Sequence, residues 1–169
     1  GSTLKPIDLG YQVKRYDLSG SWTGQDDFTY RVSLRRDVRD GTKPGAGSFY
    51  STAAQLAAPV DETTDQFEVG ASYVTPQFQA TLAYQLSQFK NGNESLTWDN
   101  PFLPVQGGDT RGQLALAPSN QFQQIVGSAG YQISPTIRAS ADIAWGLGDQ
   151  NAGFLAPTLA ERGLRRDSP

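Results

Sequence analysis

From Phe28 to Val38 the side chains alternate between apolar and polar. One row reads Phe28, Tyr30, Val32, Leu34, Arg36 and Val38, and the other reads Thr29, Arg31, Ser33, Arg35, Asp37 and Arg39. A period of two places the rows on opposite faces of an extended strand, each face meeting a different medium. The pattern returns in Phe78, Ala80, Leu82, Tyr84, Leu86 and in Ile137, Ala139, Ala141, Ile143, Trp145, Leu147. Weaker versions run through Phe67, Val69, Ala71, Tyr73 and through Ile125, Gly127, Ala129, Tyr131, Ile133. In the first candidate strand, Tyr11 and Val13 share one parity and Tyr16 and Leu18 the other, which predicts a bulge or break near Lys14.

These runs predict antiparallel hairpins over residues 9–39, 66–89 and 122–148. Turns within the hairpins are short: Thr23-Gly24-Gln25-Asp26-Asp27, Thr75-Pro76-Gln77 and Ser134-Pro135-Thr136. Residues 40–65, 90–121 and 149–169 are rich in Gly, Pro, Asn, Asp and Ser and read as long loops. Strict alternation of short and long connections sets all turns at one end of the sheet and all long loops at the other. Asp65-Gln66-Phe67 and Asn120-Gln121-Phe122 each open a similar unit, a faint hairpin repeat.

A sheet with one apolar face suits a soluble sandwich with a shared core, or an outer-membrane barrel with lipid outside and a polar lumen inside. Runs of about ten residues match a bilayer-crossing strand better than the shorter soluble average. Aromatic residues near the strand ends (Trp22, Phe28, Phe67, Phe78, Trp145) suit interfacial girdles. The expected fold is therefore all-β, an up-and-down transmembrane barrel segment of about six strands. Known single-chain barrels begin at about eight strands, and an open edge in lipid leaves backbone groups unpaired, so these strands are expected to belong to a larger barrel.

Composition narrows the chemistry. The 169 residues carry a net charge of −3 and contain no Cys and no His. That excludes thiolate sites, a Cys nucleophile, a Ser-His-Asp triad and haem ligation or attachment by the usual residues of this chain. The acidic balance argues against a nucleic-acid partner. Gly-rich stretches lack the strand-to-helix context of a phosphate loop, and the acids Asp61, Glu62, Asp65, Asp99 and Asp109 lack EF-hand spacing. No metal site and no enzymatic role are expected.

Several strings carry a resemblance. They are Phe28-Thr29-Tyr30-Arg31-Val32, Arg36-Asp37-Val38-Arg39-Asp40-Gly41-Thr42, Leu82-Ala83-Tyr84-Gln85-Leu86-Ser87-Gln88-Phe89, Ser95-Leu96-Thr97-Trp98-Asp99-Asn100-Pro101-Phe102 and Leu116-Ala117-Pro118-Ser119-Asn120-Gln121-Phe122. Across roughly Tyr11 to Leu155 the chain resembles the MtrB/PioB family of decahaem-associated outer-membrane β-barrels. The resemblance implies a bacterial outer-membrane sheath that encloses a multihaem c-type cytochrome entering from the periplasm, with an extracellular multihaem cytochrome docking outside. Haem would then be carried by the partner, and no cofactor by this chain. The alternatives are a solute-diffusion porin segment and a soluble or surface β-sandwich adhesion module.

Under that resemblance Arg31, Arg35, Arg39, Glu68, Gln85, Arg138 and Asp142 would face the lumen and contact the enclosed partner. The alternative for the same row is a solvated face. Trp98, Asp99, Asn100 and Phe102 would pack over the barrel mouth or against a partner, or else form a self-packed loop. Arg36 interrupts the apolar row and is expected at the membrane border, where its head can reach water.

Overall fold

The computed structural model describes residues 9–24, 26–49, 52–100 and 111–151. Its strands are β1 (Gly10–Thr23), β2 (Phe28–Phe49), β3 (Thr52–Val74), β4 (Phe78–Asn91), β5 (Ser95–Asp99), β6 (Arg111–Ala115), β7 (Asn120–Ser134) and β8 (Ile137–Gln150). Six of them form one antiparallel meander in the order β1-β2-β3-β4-β7-β8, and β5 pairs with β6 in a separate small sheet. The large sheet is open, with β1 and β8 as its edges.

The three short turns lie at one end, where backbone bonds close the first turn and link neighbouring hairpin ends. Gly24 N–H donates to Phe28 O (2.8 Å), Val74 N–H to Asp27 O (3.3 Å) and Gln132 N–H to Gln77 O (2.8 Å). Asp27 takes a left-handed backbone (φ 58°), which a short polar side chain tolerates in a tight turn. Phe78 N–H donates to Thr75 Oγ1 (3.0 Å), closing the second turn.

Register fixes the tilt. The last regular pairs before each turn are Thr23↔Thr29, Val74↔Gln79 and Gln132↔Arg138. Following the ladder from Thr29 through Ser72 to Thr81, and from Gln79 through Gly130 to Ser140, each hairpin lies two residues further along than the last. One residue of stagger per strand, at a rise of about 3.3 Å and a strand spacing of about 4.8 Å, gives a tilt of about 35°. That is the inclination of a barrel wall.

All five predicted apolar rows fall on one face of the sheet. Leu18↔Leu34↔Phe67↔Leu86 and Val32↔Val69↔Tyr84↔Ile125↔Trp145 are continuous cross-strand rows. From Phe78 to Leu86 the band covers about 26 Å along β4, or about 22 Å at that tilt, close to the ~25 Å lipid-facing band of outer-membrane barrels.

Several expectations need correction. β1 pairs with β2 without any register shift, so no break occurs near Lys14, and the bulge lies instead between Gln132 and Ser134. Tyr11 and Val13 simply stand beyond the apolar band, where neither face meets lipid and parity no longer constrains hydrophobicity. Residues 40–65 are likewise a ribbon and not a loop: β2 and β3 stay paired from Phe28↔Tyr73 to Phe49↔Thr52. Pro44 and Pro59 fit because β1 pairing stops at Thr42 and β4 pairing at Glu62, leaving both strands as edges there. Within 90–121, β5 and β6 form a hairpin, with 101–110 outside the described residues. Of 149–169, β8 takes in Asp149 and Gln150 and the rest lies outside them from residue 152 on.

The only buried apolar residues among those described are Ala58, Val60 and Leu96, all in the β2–β3 ribbon and the β5–β6 hairpin. Among the described residues, none forms a second layer over the apolar face of the six-stranded sheet.

Candidate functional site

The two faces of the sheet form two distinct surfaces. On the apolar one, Leu18 (68 %), Leu82 (59 %), Ile143 (69 %) and Trp145 (58 %) are exposed. Each large apolar side chain left in water forgoes about 1.5–3 kcal/mol relative to burial, so a continuous band of them requires an apolar medium. At the short-turn end the band closes in an aromatic belt. Trp22 stacks on Tyr30 (5.5 Å), Phe28 lies against Tyr73 (4.7 Å), and Tyr73 lies against Phe78 (6.0 Å). At the other end Arg36 donates from Nε and Nη2 to the two Asp65 carboxylate oxygens (2.6 and 2.8 Å). Tyr16, Gln88, Gln121 and Asp149 complete that row. Arg36 thus occupies the border, as its interruption of the apolar row implied.

The polar face is graded along its length. Nearest the short turns it carries hydroxyls: Thr23 Oγ1 and Thr29 Oγ1 are 3.3 Å apart, and Thr81 Oγ1 and Ser128 Oγ are 2.8 Å apart. The next row pairs Arg31 with a run of small or modest neighbours, Gly70, Ala83, Val126 and Ala144. Beyond it Gln85 Nε2 donates to Glu68 Oε2 (3.1 Å). Charge then dominates. Arg35 Nε donates to Asp17 Oδ1 (2.6 Å), Arg15 Nε to Asp37 Oδ1 (2.8 Å), and Glu62 takes Arg39 (3.6 Å) and Lys43 (3.4 Å).

This ladder follows from antiparallel order. Arg15-x-Asp17 on β1 runs against Arg35-x-Asp37 on β2, so each charge meets its opposite across the strand pair. The cations are about half exposed while Asp37 and Glu62 are largely covered, and such pairs at a wetted surface contribute about 0–1 kcal/mol each to stability. Their larger consequence is a wall whose charges are neutralised locally.

All seven residues expected to face the lumen lie on this polar face. Arg35, Arg39, Glu68 and Gln85 have partners on neighbouring strands, whereas Arg31, Arg138 and Asp142 form no ion pair among the described residues. Arg138 lies across Gly130, where an added Cβ would come within 3.0 Å of its Nη2. Sequence reading missed Arg15, Asp17, Asp37 and Glu62 as partners, because the pairs exist only once the register is set. It also missed Phe122, whose ring lies on the same face against Gly146 and Gly148.

The loop residues separate. Trp98 is held between backbones: a Cβ on Gly112 would fall 2.5 Å from its ring, and one on Gly47 of β2 2.6 Å from it. Asp99 is exposed and receives Arg111 Nε at 3.3 Å. Asn100 is buried, at 6 % exposure, and Phe102 lies outside the described residues.

A sheet with barrel tilt, an uncovered apolar face, an aromatic belt and a polar opposite face is the wall of an outer-membrane barrel. Comparison with known proteins agrees: residues 1–168 match the model of the outer membrane beta-barrel porin family MtrB/PioB. The chain belongs to the MtrB/PioB family. It is also 29 % identical over 164 residues to the outer membrane protein MtrB of Shewanella baltica (strain OS185), an alignment covering 94 % of this chain and 24 % of that protein. The chain thus spans about a quarter of the length of that curated relative. MtrB/PioB is a family of outer-membrane porins and not of enzymes, and it places this chain in the outer membrane.

Proposed function

We propose that this segment forms part of a barrel whose polar face surrounds a multihaem c-type cytochrome and positions it for electron transfer across the outer membrane. Membership of the MtrB/PioB family supports the reading, and the observation that carries it is the state of the polar face. Beyond Arg31 its central strip is low (Gly70, Ala83, Val126, Ala144), so a folded protein can approach the backbone closely there. Arg31, Arg138 and Asp142, which form no ion pair among the described residues, leave charge on this face to meet an occupant. This segment contains no Cys and no His and so offers haem none of the usual ligands, which leaves haem here to the occupant.

The test is co-purification. The full-length protein, isolated in mild detergent from its native membrane, is expected to bring down a haem-staining c-type cytochrome. Reversing Arg31 and Arg138 together to Glu is expected to lower that yield at least about tenfold, because close interfacial charge pairs couple by about 1.5 kcal/mol or more. A barrel that comes down free of haem and conducts small ions overturns the sheath reading in favour of a diffusion porin.

A further inference from the structure

The β5–β6 hairpin lies on one particular side of the β2–β3 ribbon. Arg39 and Lys43 both reach Glu62, which places them on the polar face carried upward from the membrane band. Gly45 and Gly47 continue that parity along β2. A Cβ built on Gly45 would point at Ala58 and at Leu96 of the hairpin (3.1 and 3.4 Å). One on Gly47 would point at Trp98 and Leu56 (2.6 and 2.7 Å). The hairpin therefore covers the lumen side of the ribbon, not the lipid side.

Its base is pinned. Gly92 N–H donates to Asp61 O (2.8 Å) and Leu116 N–H to Glu94 O (3.0 Å). Asn91 N–H donates to Ser119 Oγ and Asn91 Nδ2 to Ala117 O (both 3.0 Å). With Ala58, Val60 and Leu96 buried, this is a packed element with its own small core. Short turns of outer-membrane barrels face the periplasm, so the hairpin stands at the extracellular opening.

We infer that the β5–β6 hairpin is a fixed, inward-folded constriction that narrows the extracellular mouth of the barrel and carries the exposed Asp99–Arg111 pair there, whose balance of charge Asp99 sets. Such an element limits what passes through the mouth whatever the lumen holds, so it stands or falls independently of the cytochrome proposal. Asp99 acts on permeating ions within about a Debye length, ~10 Å at 0.1 M salt.

The experiment uses the full-length protein, freed of any bound partner and placed in planar bilayers with potassium chloride. Replacing residues 94–116 with a short Gly-Ser linker is expected to raise single-channel conductance. Asp99→Lys is expected to move the reversal potential in a salt gradient toward anions. Unchanged conductance and unchanged selectivity overturn the inference, and so does a barrel that passes no ions in any form, since it has no opening to narrow. Heat-dependent gel mobility reports whether the linker variant is folded. Where it is not, Asp99→Lys decides alone, because that side chain is exposed and its replacement leaves the hairpin core intact.

Discussion

Val32→Arg in the full-length protein is expected to deplete the assembled barrel in outer-membrane fractions and lower its urea midpoint, while Ser33→Arg leaves both near wild type. Val32 lies mid-band, in the row Gly20↔Val32↔Val69↔Tyr84. An Arg at the midplane of the lipid face costs about 2–4 kcal/mol, a factor of roughly 30 to 900 in the folding equilibrium. Ser33, one residue away, faces Ser19 and Glu68 on the polar side, where a guanidinium stays hydrated. Densitometry of the heat-modifiable band measures the difference. Equal tolerance at the two positions contradicts the assignment of faces.

Glycine substitutions give the second large contrast. Gly41 has φ +138°, and a Cβ there would run into the Gly10 carbonyl oxygen and come within 2.6 Å of Tyr11 Cα. Gly41→Val therefore combines backbone strain of about 1–3 kcal/mol with a steric clash. It is expected to detach the start of β1 and make residues near Tyr11 susceptible to external protease. Gly20 has nothing within 4 Å of its added Cβ and sits in the apolar band beside Val32. Gly20→Val should preserve the stability or raise it by up to about 1 kcal/mol, through the backbone entropy a strand glycine forfeits. Urea midpoints and limited proteolysis of the two variants measure both effects.

The membrane part of the fold was legible because lipid imposes a rule on sequence. Where one face meets acyl chains, alternation is strict, as from Phe28 to Leu34, and the register places these rows side by side as their parity implied. Beyond Arg36 and Asp65 both faces meet water, and the rule lapses. The ribbon from Asp40 to Asp65 then looks like a loop, its Gly and Pro being tolerated on strands that are edges. The supposed break at Lys14 has the same origin. Candidate lumen residues were found by parity alone, but the pairing of Arg15 with Asp37 and of Arg35 with Asp17 depends on cross-strand partners 22 and 18 residues apart. Trp98 was visible as a loop aromatic, whereas its seat against Gly47 requires the ribbon and hairpin to be brought together first.

Spin labels placed singly from residue 28 to residue 38 of the full-length protein in lipid vesicles, with collision rates measured for oxygen and for a water-soluble nickel chelate, test the account most directly. From 28 to 34 the even positions should favour oxygen and the odd positions nickel, and the contrast should fade past Arg36. Collision rates without a period of two, or with the phase inverted, would contradict it.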